Sequence, residues 1–329
     1  MQIYGIDLAK EKFDVSFFDL TSKKVSNQPS HKVVKNNFKS IGRFLETLPS
    51  DAVLVAEHTG VYGDTLLKCC MDSNVKIAFV GGYVIHRYRA TPDRAKTDVL
   101  DCALLRDFGE RYPDKLKYKT FPEEALYELR QLARHREMLV EQRKQLITAD
   151  KSEDCRPIRS LAVKRSMDRI KEMLDTEIAE TEKEMLKVIN GHESIRHNYE
   201  LVKSVDGVGL ITAVELLVKT ENFTKITTAR QYAAYAGTAP YEKSSGKMDK
   251  IGNRRSKTLL YICAESARLH NKEIKLYYER RTLIDKKPRH YVLNAIANKL
   301  LRIIFTLVEK GEYYDANFIR QDPRVVKYN

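Results

Sequence analysis

The chain has 329 residues, 43% of them hydrophobic and 31% charged, and its 58 Lys and Arg against 45 Asp and Glu leave a net charge of +13. That length can hold two domains with cores of their own, and the composition is globular, not disordered or fibrous. No apolar run approaches a membrane span, and Met1-Gln-Ile-Tyr-Gly-Ile-Asp7 lacks the basic head of a signal peptide, so the excess charge points to nucleic acid over a membrane surface. The five cysteines (Cys69, Cys70, Cys102, Cys155 and Cys263) are odd in number and contain no CxxC pair. They read as reduced thiols of a cytoplasmic protein, not a disulfide frame or a zinc site.

In chain order, residues 2–8 and 13–20 are rich in β-branched and aromatic side chains and predict two strands joined by a polar turn at Ala9-Lys-Glu-Lys12. A third short strand fits 31–35. Phe38, Ile41, Phe44, Leu45 and Leu48 then follow helical spacing until Pro49 stops the run. Residues 51–57 are a continuous apolar run ending in Glu57, the pattern of a buried central strand. Gly60-Val-Tyr-Gly63 turns into a helix carrying Leu66, Leu67 and Cys70, and residues 75–80 form a fifth strand closed by Gly81-Gly82. A helix over 98–109 comes last. The order β-β-β-α-β-α-β-α is a meander followed by units that need parallel crossovers, an α/β domain.

Asp98 and Asp101 lie three residues apart in that last helix, on one face. Thr97 is a plausible N-cap, the helix dipole favours acids in the first turn, and Leu100, Ala103, Leu104 and Leu105 supply an apolar face. Taken alone, the stretch also reads as a capped surface helix with two solvated acids. Asp7 ends the first strand and Glu57 the fourth; singly, each reads as an ordinary strand-end residue. If those strands are neighbours, however, both acids project from one region and the acidic helix packs across it. Four converging carboxylates repel one another unless hard cations such as Mg²⁺ or Mn²⁺ join them, and two such ions serve phosphoryl transfer.

From about residue 121 the composition changes. Ala125/Leu126, Leu132/Ala133, Leu139/Val140 and Leu146/Ile147 recur every seven residues, predicting a long helix with a coiled-coil-like seam. After a polar break at 150–157, a second stripe runs through Met167, Ile170, Leu174, Ile178, Met185 and Ile189 to Gly191. The pair reads equally as an intramolecular hairpin and as a dimerising arm. Leu201 to Ala213 carry Gly207-Val-Gly209 between helical stretches, either a helix-hairpin-helix whose amides approach a phosphate backbone or a plain helical corner. Next, residues 235–257 form a Gly/Ser loop with Lys243, Lys247, Arg254, Arg255 and Lys257 around Ser244-Ser245-Gly246, suited to anions. A serine there attacks phosphorus only if another group takes its proton, and no His lies nearby in sequence. The remainder reads as two core helices within 261–305, with a polar, mobile tail from Tyr313-Tyr314 onward.

Gly5-Ile-Asp7-Leu-Ala-Lys10, Val55-Ala-Glu57-His-Thr59-Gly60-Val-Tyr62 and Lys96-Thr97-Asp98-Val-Leu-Asp101-Cys-Ala resemble the N-terminal motifs of one transposase family. These are the insertion-sequence transposases with a RuvC-like DEDD domain, relatives of the pilin-gene inverting recombinase. Gly237-Thr-Ala-Pro240, Ser245-Gly246 and Gly252-Asn253 resemble their C-terminal domain; Cys102 stands where the family has Ala, and Leu259-Leu260 departs from its pattern. The resemblance implies a RuvC-like (RNase H-like) domain over 1–115, a helical coiled-coil spacer over 116–195 and an all-α transposase domain over 196–329. It implies Asp7, Glu57, Asp98 and Asp101 as metal-binding catalytic acids for Mg²⁺ or Mn²⁺. It also implies Ser245, with Ser244 as its rival, as a nucleophile that forms a covalent 5′-phosphoserine link to DNA. Lys243, Ser244, Lys247, Arg254, Arg255 and Lys257 are the expected nucleic-acid contacts. Family members use a structured RNA of their own element to pair DNA target and donor, and acids and serine of different protomers are expected to meet across a dimer or tetramer. The rival readings are a RuvC-type junction nuclease in which water attacks, and a non-catalytic nucleic-acid-binding protein.

Overall fold

Strand alternation sorts the first residues onto two faces of a sheet. The structure, a computed structural model, describes residues 1–18, 29–58, 60–88, 98–239 and 252–316. Strands β1 (Gln2–Leu8), β2 (Lys12–Phe17), β3 (Ser30–Lys35), β4 (Ala52–Glu57) and β5 (Lys76–Val80) form one sheet in the order β3-β2-β1-β4-β5. β2 runs antiparallel to β1 and β3, whereas β1, β4 and β5 are parallel. Helix α1 (Phe38–Glu46) joins β3 to β4 and α2 (Asp64–Asp72) joins β4 to β5; α3 (Gly82–Tyr88) and α4 (Asp98–Arg111) follow β5. This is the RNase H-like α/β arrangement expected from the sequence. Tyr4, Ile6, Leu8, Leu54, Ala56 and Ile77 pack with Ile41, Phe44 and Leu66 of α1 and α2. On the other face Ile3, Val53, Val55, Ala78 and Val80 pack with Leu104, Leu105 and Phe108 of α4. Helix α3 is absent from the sequence reading because Ile85 is its one buried residue, too little to set up a period.

The chain forms two compact units, Met1 to Phe121 and from Pro122 onward. In the second, α5 (Glu124–Glu153) and α6 (Leu161–Gly191) pair as a hairpin. Arg136 bonds Glu182, Arg143 bonds Asp175 and Asp150 bonds Lys171, so the partners run in opposite directions. Beyond Leu139 and Leu174 no residue of the pair is fully buried; Leu146, Ile147 and Met167 are half-buried there, and the ion pairs Arg143–Asp175 and Asp150–Lys171 span the two helices. Its base is different. Ala125, Leu126, Leu129, Met185 and Ile189 share a core with Ile195, Val214 and Leu217, so the boundary placed at 195 falls inside one packed cluster.

Helices α7 (Glu193–Lys203), α8 (Leu210–Thr220), α9 (Ala229–Ala236), α10 (Arg254–His270), α11 (Lys272–Glu279) and α12 (Arg289–Lys310) complete this unit. Contrary to the sequence reading, α12 is long and apolar enough by length and composition to cross a membrane. Its apolar residues Val292, Ile296, Leu300 and Ile304 instead form the centre of the helical core. The turn between α7 and α8 holds Gly207 at φ +90°, where a Cβ would lie 2.6 Å from the Ala267 amide N and 2.7 Å from the Cys263 carbonyl O. That glycine seats the turn on α10. Tyr313 and Tyr314 are tied down, not mobile: the Tyr313 hydroxyl donates to Glu200 (2.9 Å) and the Tyr314 amide to the Ser204 hydroxyl (3.0 Å). The tail from 317 lies outside the described residues.

Candidate active site

Parallel pairing of β1 with β4 sets Ile6 beside Ala56, so the next residues, Asp7 and Glu57, emerge as neighbours at the carboxyl ends of both strands. They share the face of Gly5 and Val55, the face α4 covers. Gly5 is what lets α4 come down: a Cβ there would stand 2.0 Å from the Cys102 carbonyl O and 2.4 Å from the Arg106 amide N. Gly109, further along α4, would likewise meet Ile3 and Val55 at 2.9 Å. With glycine on both sides of the contact, α4 lies close against β1, and its first turn delivers Asp98 and Asp101 toward Asp7. The buried stripe of α4 runs through Cys102, Leu104, Leu105 and Phe108; Leu100, expected in that stripe, is 43% exposed. Lys96 and Thr97, the expected cap, lie outside the described residues.

The electrostatics report the convergence. The Asp7 carboxyl is pushed up to about 6, first by burial and then by the charges of Asp101, Asp98, Asp14 and Glu57. Asp14 is a fifth acid that the sequence reading missed. It pairs directly with Asp7 across β1 and β2 and is buried, with a hydrogen bond to His31 Nε2 at 2.7 Å and with Lys12 Nζ at 3.9 Å. The signal was present: a four-residue turn over 9–12 sets residue 8 opposite 13 and therefore Asp7 opposite Asp14. Cys102 is buried beside this group, and burial, Asp14 and Asp7 push its thiol up to about 12, so it stays protonated. The available donors are thus carboxylate oxygens, a set that fits a hard divalent cation and not a thiophilic one. Among the described residues, no three His, Cys, Asp or Glu side chains already stand at ligating distance of a common point.

Lys243, Ser244, Ser245 and Lys247 lie outside the described residues, but the chain on either side of them is closely fixed. A Cβ on Gly252, at φ +146°, would lie 2.5 Å from Gly237 Cα, so the segment's two ends touch through glycine. The Asn253 amide donates to the Tyr235 carbonyl (2.8 Å), and its side chain donates to the Tyr235 hydroxyl (2.9 Å). Asn294 and Asn298 both donate to the Thr238 carbonyl, at 3.0 and 2.9 Å. Asn253 also caps α10 by accepting from the Ser256 amide, and the buried Ser256 hydroxyl donates to Glu215 at 2.6 Å. Arg255, expected to meet nucleic acid, turns inward between Glu215 (3.4 Å) and Glu137 of α5. Arg254 is exposed, and Lys257 lies 6.0 Å from the Tyr261 ring.

Against known families, a DEDD transposase model matches residues 4–151, and a model of the transposase IS116/IS110/IS902 family matches residues 199–279. The chain belongs to this transposase family. The transposase is 25% identical to the pilin gene-inverting protein of Moraxella bovis, over 94% of this chain and 97% of that one. It is 29% identical to the transposase for insertion sequence element IS1111A of Coxiella burnetii, over 43% of this chain and 40% of the other. Among solved structures it matches Thermus thermophilus RuvC in complex with a Holliday junction substrate, at 13% identity and a TM-score of 0.28, covering 36% of this chain and 99% of that one.

In this transposase Gly82 keeps room for Glu57: a Cβ there would come within 2.6 Å of Glu57 Oε1. That atom is the end of a flexible side chain, so Gly82→Ala moves the carboxylate without unfolding the sheet. The melting temperature is expected to stay within about 2 °C of wild type. Metal affinity, read by titrating Mn²⁺ against strand cleavage, is expected to fall about tenfold. Unchanged affinity would mean that Glu57 does not reach the metal from where it stands.

Proposed function

We propose that this transposase cuts and rejoins DNA through Ser245, assisted by a divalent cation held on Asp7, Glu57, Asp98 and Asp101. The observation that carries the reading is the gathering of those carboxylates at the carboxyl ends of β1 and β4, beneath the first turn of α4. In the proposed reaction the Ser245 hydroxyl oxygen bonds to phosphorus and the bond from phosphorus to the 3′-oxygen breaks. The serine proton passes to a base and the departing 3′-oxygen leaves as a hydroxyl. One ester replaces another, so no bond energy is lost, and the reverse attack by a second 3′-hydroxyl rejoins strands.

Bound Mg²⁺ or Mn²⁺ would supply positive charge where negative charge accumulates. The acids hold it, and Asp7 offers the strongest drive because its ionised form is raised in energy by its neighbours. Lys243, Lys247, Arg254 and Lys257 are proposed to meet phosphates around the serine, with Ser244 beside it. The net charge of +13 supports a polyanionic partner, DNA together with a structured RNA of the same element. The exposed Ile158, Leu161 and Met173 of the α5–α6 hairpin support assembly into a homo-oligomer, and the five free cysteines support a cytoplasmic setting.

Thermal unfolding tests the acid site directly. Mg²⁺ or Mn²⁺ at about a hundred times Kd is expected to stabilise wild type by about 2.7 kcal/mol and to leave Asp7→Asn unmoved. Equal shifts in both proteins would remove Asp7 from the metal site.

A further inference from the structure

A groove of about 670 Å³ lies between α9, α11 and α12, and one of its walls includes Ala239, the last described residue before the segment that carries Ser245. It is lined by Arg230, Lys299 and Arg302, by alanines of α9 and α12, and by Tyr277, whose ring packs on the helical core and is approached by Arg280 at 5.7 Å. Lys299 is paired with the exposed carboxylate of Glu273. Arg230 and Arg302 have no carboxylate partner among the described residues; the Arg302 Nε–H donates to its own helix at the Asn298 carbonyl (3.3 Å). The groove therefore carries net positive charge beside an alanine-rich lining.

Those properties narrow the occupant. A lone phosphate would satisfy the cations but leave the alanine lining uncovered. An acidic peptide brings charge without a flat ring. A nucleic-acid strand alternates anionic phosphates with flat bases and matches both features, since base stacking on an aromatic ring and backbone contact by Arg are how single strands are held. The Asn298 amide, which also lines the groove, is oriented by Thr238: its nitrogen donates one N–H to the Thr238 carbonyl and its oxygen accepts from the Thr238 hydroxyl. The reaction proposed above acts on DNA, and the strand assigned to the groove is accordingly DNA.

We propose that this groove holds a strand of the DNA substrate, with Arg230 and Arg302 on phosphates and a base against Tyr277. The assignment rests on the reading of Ser245 as nucleophile, and the experiment separates the two. Full-length protein is titrated with fluorescein-labelled (dT)16 containing 2-aminopurine, across a salt series, with melting temperatures confirming that each variant is folded. Arg230→Ala/Arg302→Ala is expected to bind about tenfold more weakly at low salt, with a salt slope shallower by about 1.4, the value for two lost phosphate contacts on a single strand. Tyr277→Ala is expected to lose the quenching of 2-aminopurine, and Tyr277→Phe to keep it. Wild-type affinity and slope in the double Arg variant would overturn the groove, and so would a loss confined to (rU)16. Ser245→Ala should bind (dT)16 as wild type does and form no covalent adduct. If the adduct persists in Ser245→Ala while the Arg variant loses binding, the serine reading fails and the groove stands.

Discussion

Asp7→Asn is expected to yield a protein that is more stable without metal and inactive with it. Asp7 is the most loaded of the acids, its carboxyl pushed from 3.8 up to about 6 by burial and by Asp101, Asp98, Asp14 and Glu57. A carboxyl whose native value lies above its unfolded value contributes stability through its bound proton. That contribution is complete below about pH 3.8 and is lost as pH rises through about 6. At pH 7.5, in EDTA, the wild type therefore lacks about 2 kcal/mol that Asn retains, after discounting the shift for partial exposure. Melting curves of the two proteins should coincide near pH 4 and separate by several degrees above pH 6, with the variant higher. In Mg²⁺ the order of merit reverses: strand cleavage by Asp7→Asn should fall about 1000-fold or more, because the proposed metal ligand between the strand ends is gone. This is a stability cost carried by a functional site. A variant less stable than wild type at pH 7.5 would show that Asp7 is held by favourable contacts and not by repulsion.

Gly5→Ala is expected to cost more than any other single methyl group in the N-terminal unit. The added carbon would meet two backbone atoms, Cys102 O at 2.0 Å and Arg106 N at 2.4 Å, so no change of rotamer relieves it. Helix α4 must lift from β1 and loosen the cluster of Ile3, Val55, Leu104, Leu105 and Phe108. Overpacking commonly costs 1–3 kcal/mol; a backbone clash of this depth is expected to exceed about 4 kcal/mol in denaturant titration. Gly42→Ala provides the control, since nothing lies within 4 Å of its added carbon on α1 and helix propensity should stabilise by about 0.5–1 kcal/mol. If Gly5→Ala unfolds like wild type, α4 does not lie on β1 as described, and the route that brings Asp98 and Asp101 to Asp7 is lost with it.

The adjacency of Asp7 and Glu57 was legible because a three-stranded meander followed by two crossovers leaves few sheet orders, and the acids end both central strands. Asp14 was legible in principle from the turn length, yet it sits between Phe13 and Val15 and looks like the solvent side of an edge strand. The tightness of α4 was not legible: Gly5 and Gly109 are far apart in sequence, and neither announces a helix–strand contact. Leu100 misled for the same reason, because a helix seated through glycine turns its buried stripe toward Cys102 and Phe108. In the helical unit, charge alone made Arg255 look like a phosphate ligand. Its pairing with Glu137 and Glu215 depends on three helices meeting, which no local pattern records. The choice between Ser245 and Ser244 rests on the motif around Gly246.

Covalent capture tests the central claim most directly. The protein is incubated with Mg²⁺, DNA spanning an element junction and the candidate RNA, then denatured and mapped by mass spectrometry. The account predicts DNA attached through its 5′-phosphate to Ser245, absent in EDTA and absent in Ser245→Ala. An adduct on Ser244 would move the nucleophile by one residue and leave the chemistry intact. DNA cleaved in Mg²⁺ with no adduct, and cleaved equally by Ser245→Ala, would contradict the serine mechanism and assign the attack to water.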